Sequence, residues 1–323
     1  FCRDSGCASG AWLMSIFEKA FKKFGNDIDE LQAPPGEGGT VAVEAPLEET
    51  SDAASQNKQW AAPAPPAVEG GSPAASRKQV ALDLSGLREV GVVDQRSGQN
   101  SRITEEFRRI KHPLILHADG KGASVVANAN LIMVTSSLAG EGKTFTSINL
   151  AMSIATEMDK TVLLVDADVA KPDVTARLGV QAEQGLIDVL LEDDLTLPDV
   201  LIRTDIPKLS LLPAGRKHVH ATELLASEGM RQLTLELSTR YSDRIVIFDS
   251  PPMCLTSEAR VLAGLMGQVV MVVEEGKTTQ QTVKQALSML DSNEIIGIVM
   301  NKRKASRHGG EGYYGRYGYY GYG

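Results

Sequence analysis

A glycine-rich segment that ends in lysine and threonine, Gly140-Glu-Gly-Lys-Thr144, is the part of this sequence most suited to chemistry. It follows the apolar run Leu131-Ile-Met-Val-Thr135 and precedes a helical pattern. Glycines permit tight turns, so that their N–H groups and the N-terminus of the next helix can surround anionic oxygens. Lys143 can reach the β- and γ-phosphates of a nucleotide, and the hydroxyl of Thr144 can bind Mg²⁺. The segment is therefore predicted to be a phosphate-binding loop, or P-loop.

This loop departs from the strict pattern GxxxxGK[ST] at one position, because Ser137 stands where the first glycine is expected. The segment also begins like the dinucleotide-binding pattern GxGxxG, but Phe145 occupies the place of the third glycine. We therefore expect ATP rather than a nicotinamide. The residues of the loop and the first helical turn that we expect to bind ATP are Ala139, Gly140, Glu141, Gly142, Lys143, Thr144 and Phe145.

Carboxylates follow two of the predicted strands. The second strand ends in Val162-Leu-Leu-Val-Asp-Ala-Asp168, and a later one ends in Arg244-Ile-Val-Ile-Phe-Asp249, which fits a Walker B element. Beside a P-loop such carboxylates can hold Mg²⁺ or act as a base, although an acidic strand end in a turn has the same pattern. The predicted metal ligands are Thr144, Asp168 and Asp249. The candidate catalytic residues are Lys143, Asp166 and Asp168.

One amide occupies a comparable position. Asn301 closes the last predicted strand, where its side chain could recognise the edge of a base or could simply begin a turn. The sequence leaves both interpretations open, and Asn301 is included as a candidate ATP-binding residue.

The C-terminal segment concentrates the phenol groups of the chain. Six of the 7 tyrosines lie between Glu311 and Gly323, separated mainly by glycine. Such a segment cannot pack a core, because ordering it costs more entropy than its rings recover. Its composition also fits a tyrosine-rich interaction segment, but a nucleotide site on the same chain favours self-phosphorylation. The candidate phosphoacceptors are Tyr313, Tyr314, Tyr317, Tyr319, Tyr320 and Tyr322.

Parallel strands that alternate with helices must position these residues. Strands are predicted at 131–135, 161–165, 208–212, 244–248, 268–273 and 295–300, and helices at 144–157, 230–241, 257–265 and 279–290. The alternation predicts an α/β fold, with a mostly parallel β-sheet covered by helices on both faces. Such sheets bind ligands beyond the carboxyl ends of their strands.

The remaining chain divides into segments of different character. Residues 1–13 are expected to lie upstream of the natural start, and residues 14–25 to form a short basic amphipathic helix that contacts a membrane surface, a partner or its own domain. Residues 26–79, rich in Pro, Ala and Glu, are expected to be a disordered linker. The P-loop domain is assigned to residues 80–303 and the flexible tyrosine-rich tail to residues 304–323.

Composition excludes several functions. The chain has 33 Lys and Arg against 41 Asp and Glu, and its net charge of −8 argues against nucleic-acid binding. The cysteines, Cys2, Cys7 and Cys254, form no metal-binding pattern, and their scarcity fits a reducing cytoplasm. No stretch approaches the roughly 18 to 20 apolar residues of a membrane span.

A further helix is predicted over residues 101–111 and is expected to end near His112-Pro113. Glu105, Arg108 and Lys111 recur every three residues along it and would share one face. That face could be solvated, or it could contact another subunit through paired charges.

The motifs and their order resemble the bacterial tyrosine kinases, which are P-loop kinases that serve polysaccharide export. The resemblance covers roughly residues 101–323 and rests on the loop before Thr144, the pair Asp166 and Asp168, Asp249 and the tyrosine cluster. It implies the fold of the partition and division-site P-loop ATPases, ATP and Mg²⁺ as cofactors, and phosphorylation of the tail of a neighbouring copy. Glu105, Arg108 and Lys111 resemble the family's ExxRxxR oligomerisation motif, which implies a homo-oligomer, with a ring expected.

Two departures refine the resemblance. The family often writes its second motif DxDxR, whereas here Ala170 takes the place of the arginine and Lys171 follows. With no membrane-spanning activator segment in the sequence, the chain is similar to the split type, whose activator is a separate membrane protein of the chain-length-determinant, or polysaccharide co-polymerase, class. This implies a cytoplasmic location, peripheral at the inner membrane, and a cognate tyrosine phosphatase as a further partner. Residues 105–114 are similar to exosortase-associated members.

The expected function is therefore ATP-dependent tyrosine phosphorylation of the chain's own tail in trans, which regulates the synthesis and export of exopolysaccharide or capsular polysaccharide. The alternative is a partition- or division-type ATPase that switches its oligomeric state without phosphorylating protein. That class carries an extra lysine early in its P-loop, and residues 136–142 contain none, which favours the kinase.

Overall fold

The computed structural model describes residues 14–15, 79–93, 101–122, 125–240, 243–290 and 295–303. The expected upstream segment, nearly all of the linker and the six tail tyrosines lie outside these residues. The strands are β1 (Met14–Ser15), β2 (Leu131–Ser136), β3 (Thr161–Asp166), β4 (Ile202–Arg203), β5 (Leu209–Leu212), β6 (Arg244–Asp249), β7 (Gln268–Glu274) and β8 (Ile295–Asn301). The helices are α1 (Ser85–Val90), α2 (Arg102–Ala118), α3 (Lys143–Ile154), α4 (Val174–Arg177), α5 (Leu186–Leu191), α6 (Leu197–Val200), α7 (Ala221–Leu225), α8 (Glu228–Thr239), α9 (Ser257–Ala263) and α10 (Gln280–Leu287).

The strands form one sheet in the order β1-β8-β7-β2-β6-β3-β5-β4. The six inner strands are parallel to their neighbours, and only the two-residue strands β1 and β4 at the edges run antiparallel. The predicted mostly parallel sheet is confirmed, and each of its six predicted strands lies within one residue of the observed bounds. The edge strands were missed because two residues are too few to show a periodic pattern.

Helices cover both faces of this sheet, as predicted. Along β2, Ile132 and Val134 point into a core shared with α2 and α3, whereas Leu131 and Met133 point into a second core shared with α8 and α9. Because successive side chains of a strand face opposite sides, a strand buried on both faces must be apolar throughout. The apolar runs of β2, β3, β6 and β7 meet this requirement, and they hold the carboxyl ends of the strands in fixed register.

The predicted helix end at Pro113 is wrong, because α2 continues through the proline to Ala118. Proline lacks an N–H group and disfavours the helical conformation in the residue before it. The helix nevertheless continues because Ile110 and Leu114, on either side of the proline, are each only 1% exposed in the core beneath α3. Phe107 contributes an edge-to-face contact with Phe145 of α3, with ring centroids 6.4 Å apart. Packing of α2 against the core thus outweighs the tendency of Pro113 to end the helix.

The expected helix over residues 14–25 is also wrong at its start. Met14 and Ser15 pair antiparallel with Met300 and Val299 of β8. A two-residue strand is favoured here because the outer edge of β8 otherwise presents unpaired backbone N–H and C=O groups. Residues 16–25 lie outside the described part of the chain. Among the described residues, none of the helices has the length and apolar character needed to cross a membrane.

Glu105, Arg108 and Lys111 do not share one exposed face, contrary to the sequence-based expectation. Glu105 and Arg108 form a half-exposed ion pair, but the Lys111 side chain is buried. Its Nζ donates to the Ser153 carbonyl (2.7 Å) and forms an ion pair with Glu157 (2.7 Å). The ammonium therefore neutralises the C-terminal end of α3 and fastens α2 to it. In this structure Lys111 is not available to another subunit.

This contact predicts a stability difference between two variants of α2. Lys111→Ala removes a buried ammonium with its hydrogen bond to Ser153 and its ion pair with Glu157, and is expected to lower the free energy of unfolding by about 2 kcal/mol. Glu105→Ala removes one half-exposed ion pair and is expected to cost less than about 0.5 kcal/mol. Urea denaturation of both variants measures the difference, and equal midpoints would show that Lys111 does not fasten the two helices.

Candidate functional site

The P-loop connects the carboxyl end of β2 to the N-terminus of α3, in the strand-loop-helix context that the sequence predicts. Gly140 and Gly142 have φ values of 84° and 99°, in the left-handed region that favours glycine. Gly142 is the N-cap of α3, so that the first N–H groups of that helix have no acceptors within the helix. The loop thus presents the end of a helix and several amides to an anion.

The serine that replaces the first P-loop glycine is accommodated without strain. Ser137 is fully buried, and its carbonyl accepts a hydrogen bond from the Cys254 N–H (3.2 Å). Among the described residues, positive φ outside glycine occurs only at Asn128, Lys208 and Lys302, so Ser137 requires no left-handed backbone. The departure from the strict pattern therefore leaves the shape of the loop intact.

The predicted catalytic and metal-binding side chains meet at this edge of the sheet. Lys143 Nζ forms an ion pair with Asp168 Oδ2 at 2.6 Å. The Thr144 hydroxyl donates to Asp249 Oδ2 at 2.7 Å. Asp166 and Asp249 end the neighbouring strands β3 and β6 and stand opposite one another in register. The geometry thus brings together the lysine, the hydroxyl and the carboxylates that the spacing predicted.

In the described part of the chain, only one of the two carboxylate oxygens of Asp166 accepts hydrogen bonds. Its Oδ2 accepts hydrogen bonds from the backbone N–H groups of Asp173 (3.1 Å) and Val174 (3.0 Å). Its Oδ1 is buried and has no hydrogen-bond partner in the described part of the chain. Because a buried oxygen without a partner is costly, this atom is suited to a ligand that donates a proton or carries positive charge.

Burial and mutual repulsion perturb the acids. Burial, with the charge of Asp249 added, raises the pKa of Asp166 to about 7 from its ordinary value of 3.8. Burial raises the pKa of Asp249 to about 6, although Lys143 and the hydroxyl of Thr144 oppose the shift. Burial alone would lower the pKa of Lys143, but the charges of the carboxylates outweigh it and raise that pKa. The site therefore holds more negative charge than its lysine neutralises.

This excess of negative charge fits a bound Mg²⁺ with a nucleotide. Hard divalent cations prefer carboxylate and hydroxyl oxygens, and Asp168, Asp249 and Thr144 supply them. The amides of the loop are a further feature that such a complex would use. Asp168, Asp249 and Thr144 would hold the metal, and Lys143 would bind the phosphates.

Other predicted ATP-binding residues have different surroundings. The Ala139 side chain is exposed, whereas the Phe145 ring packs on Phe107, so that only the backbone of Phe145 can face a phosphate. The carboxylate of Glu141 is buried and accepts from the Leu138 N–H (2.7 Å). The side chain of Asn301 contacts the backbone of the P-loop, and its predicted contact with a base stays a prediction.

Sequence reasoning missed Ser147. Its hydroxyl donates to Asp249 Oδ1 at 2.9 Å, so that Thr144 and Ser147 together hold both oxygens of that carboxylate. The signal was present in the spacing, because residues three apart share one face of a helix. Ser147 would therefore keep Asp249 oriented if Thr144 exchanged its hydrogen bond for a metal.

A cavity of about 580 Å³ lies elsewhere, near the amino end of β3. Its lining includes Asp119, which is already paired with Lys160. This cavity contains both signs of charge in existing ion pairs and shares no residue with the P-loop, so it is not part of the candidate site.

Comparisons with known proteins agree with this geometry. Residues 129–295 match the family model of the AAA domain, which is over half of the chain. Tyrosine-protein kinase YwqD of Bacillus subtilis (strain 168) is 34% identical over 214 residues, which are 66% of this chain and 86% of that protein. Tyrosine-protein kinase wzc of Salmonella typhi is 31% identical over 196 residues, but these cover 59% of this chain and only 27% of the Salmonella protein.

Solved structures give the same relationship. The kinase domain of the Escherichia coli tyrosine kinase ETK is 28% identical, with a TM-score of 0.54, and the similarity covers 65% of this chain and 80% of that domain. Fold and site therefore define a P-loop nucleotide-binding protein with an AAA domain. Within that class, the chain belongs to the bacterial tyrosine kinase family. The expectation of a tyrosine kinase rather than a partition-type switch is confirmed.

The raised pKa of Asp166 predicts how stability depends on pH. In the unfolded chain Asp166 loses its proton near its ordinary pKa of 3.8, and in the folded protein near pH 7. Between these values the folded state binds more protons, so the stability falls as pH rises through the interval. Without Mg²⁺, Asp166→Asn is expected to raise the free energy of unfolding at pH 8 by on the order of 2 kcal/mol and to have little effect near pH 4.

Urea denaturation at several pH values checks this prediction. The asparagine can still accept from the N–H groups that Asp166 binds, so the variant changes charge more than geometry. Asp194→Asn, at an exposed turn, serves as the control and is expected to show no such pH dependence. A stability difference for Asp166→Asn that stays constant from pH 4 to pH 8 would contradict the assignment.

Proposed function

We propose that the chain uses Mg-ATP to phosphorylate tyrosines of the C-terminal tail on a neighbouring copy, and that this regulates polysaccharide synthesis and export. The observation that carries the proposal is the meeting of Lys143, Asp166, Asp168 and Asp249 at the P-loop. The same chain continues beyond this site into six tyrosines. A phosphate-activating site and a tyrosine-rich segment on one chain support self-phosphorylation.

Phosphoryl transfer requires positioning and neutralisation of charge. Lys143, now paired with Asp168, would exchange this partner for the β- and γ-phosphates. Thr144, Asp168 and Asp249 would hold Mg²⁺, which supplies further positive charge at the phosphates when bound. The amides of the P-loop would bind the remaining phosphate oxygens.

Asp166 is the proposed general base. A phenol has a pKa of about 10 and is a weak nucleophile at neutral pH until a base accepts its proton. A carboxylate with a pKa of about 7 is matched to that task, and the Oδ1 of Asp166 has no competing donor in the described residues. The proton of the tyrosine hydroxyl would pass to Asp166 as the phenol oxygen forms a bond to the γ-phosphorus, and the bond between that phosphorus and the β–γ bridging oxygen would break to release ADP.

The tail is long enough to reach a second copy. Residues 304–323 could span up to roughly 65 Å at ~3.3 Å per residue. Asp166 lies four strands from β8 in the sheet, or about 19 Å at ~4.8 Å per strand, so reach alone also permits reaction within one copy. The proposal of transfer between copies rests on the family resemblance and on the half-exposed pair Glu105–Arg108, whose part in a ring we retain without Lys111.

Partners and location follow from the same resemblance. We propose a separate membrane activator of the chain-length-determinant class, a cognate tyrosine phosphatase, and a cytoplasmic position at the inner membrane through the activator. Each phosphate adds about −1.5 to −2 charge, so that several on one tail repel one another and would weaken its docking and the ring. The relation to exosortase-associated members stays a prediction.

The catalytic assignment predicts that Lys143→Met abolishes tail phosphotyrosine, because the lysine neutralises the transferred group. The measurement is transfer of label from γ-labelled ATP with Mg²⁺ and an activator fragment, followed by mass spectrometry of the tail. Lys277→Met removes an exposed lysine at the same edge and is expected to retain at least about half of the activity. Label found only in free phosphate with the unaltered chain would favour the oligomeric switch instead.

Transfer between copies predicts the result of mixing two defective chains. One lacks residues 304–323 and keeps an intact site, and the other carries Lys143→Met and keeps its tail. We expect neither to become labelled alone and the Lys143→Met chain to become labelled in the mixture, with the activator present. A mixture that stays unlabelled, while the unaltered chain reacts, would restrict the reaction to a single copy.

A further inference from the structure

Two side chains at the end of β8 contact the carbonyl groups of the P-loop. Asn301 Nδ2 donates to the Glu141 carbonyl at 2.9 Å. Lys302 Nζ donates to the Gly140 carbonyl at 2.5 Å. These contacts join residues about 160 positions apart in the chain, and neither of them involves a group that the proposed reaction uses.

The contacts have a consequence for the amides of the loop. In a planar trans peptide, the C=O and N–H groups point in opposite directions. Holding the Gly140 carbonyl therefore fixes the direction of the Glu141 N–H, and holding the Glu141 carbonyl fixes that of the Gly142 N–H. Both carbonyls are drawn towards β8, so these two N–H groups are turned away from it.

The approach of Asn301 depends on glycine at position 142. A Cβ atom there would lie 2.1 Å from Asn301 Nδ2, well inside contact distance. Asn301 is itself oriented by the Lys302 N–H, which donates to its Oδ1 at 2.8 Å. Gly142 therefore serves two purposes, a left-handed backbone and space for the amide that holds the loop.

Lys302 is fixed in turn by an acid of the neighbouring strand. Glu274 Oε2 lies 3.2 Å from Lys302 Nζ and 3.3 Å from Lys277 Nζ. Both lysines thus neutralise the same carboxylate, but of the two only Lys302 also contacts the P-loop. Substituting each lysine in turn therefore distinguishes the effect of losing positive charge near Glu274 from the effect of losing the contact with the Gly140 carbonyl.

We propose that Asn301 and Lys302 are positioning residues that preorganise the phosphate cradle, by turning the N–H groups of Glu141 and Gly142 towards the bound phosphates. This deepens the proposed function and rests on its nucleotide site. Preformed amide donors bind anions better than a loop that must first rotate its peptide planes, because the reorganisation is completed in advance. The role does not require that Asn301 recognises a base.

The first measurement is the affinity for Mg-ADP, with adenosine as the probe that lacks phosphates. Lys302→Met is expected to weaken Mg-ADP binding about tenfold, the scale of one hydrogen bond to a charged group, and to leave adenosine binding unchanged. Lys302→Arg, which can still donate to the carbonyl, is expected to stay within about twofold of the unaltered chain. The matched control Lys277→Met is also expected to keep an Mg-ADP affinity within about twofold of the unaltered chain.

The second measurement is the pair of backbone ¹H–¹⁵N resonances of Glu141 and Gly142 in the nucleotide-free full chain. Lys302→Met is expected to shift the Glu141 resonance, and Asn301→Ala that of Gly142, whereas Lys277→Met moves neither. Weaker Mg-ADP binding with unmoved resonances would mean that Lys302 contacts phosphate directly and would overturn the proposal. Unchanged affinity in Lys302→Met would overturn it as well.

These readouts separate this inference from the proposed function. If the unaltered chain binds no Mg-ADP, the proposed function fails, and the amide resonances still decide whether β8 orients the loop. If Mg-ADP binds but no phosphotyrosine forms, the kinase proposal fails. The Mg-ADP affinities of the Lys302 variants then still test whether Asn301 and Lys302 preorganise the P-loop.

Discussion

The site depends on burying several carboxylates beside one lysine. Asp166, Asp168 and Asp249 are each 5% exposed or less, and within the described ranges Lys143 forms an ion pair with Asp168 only. Burial disfavours the charged form of these carboxylates, and repulsion between them adds to this effect, so the pKa values of Asp166 and Asp249 are raised. A divalent cation relieves this repulsion, and a cation that binds only the folded state also stabilises it. The proposed binding of Mg²⁺ would therefore follow from how the carboxylates are packed.

The sheet imposes this packing. Parallel strands that begin at one edge end at the other, so the acidic ends of β3 and β6 are brought into register beside the P-loop after β2. The apolar cores on both faces restrict sliding of the strands, because a shift of one residue would move every side chain to the opposite core and disrupt the close packing of both. The stability of the two cores is thus the source of the strain among the carboxylates, a common compromise at functional sites.

The sequence was sufficient for features whose signal is local. Strand positions followed from short apolar runs, and the P-loop followed from glycine spacing and its context. Features made by distant contacts gave no local signal. The continuation of α2 past Pro113 depends on the core beneath α3, and the burial of Lys111 depends on Ser153 and Glu157 at the far end of that helix.

Ser147 was predictable from helical spacing and was missed, whereas the contacts of Asn301 and Lys302 with loop carbonyls could not be found without the fold.

The acidic site also bears on what happens to a tail once it is modified. An unmodified tyrosine is neutral and can approach Asp166, Asp168 and Asp249 without repulsion. In the proposed reaction, transfer would give the same residue about −1.5 to −2 charge, which the buried carboxylates of the site would repel. This repulsion would favour release of the modified tyrosine after transfer. A tail with several tyrosines separated by glycine can then present the next phenol, since its unmodified positions carry no such penalty.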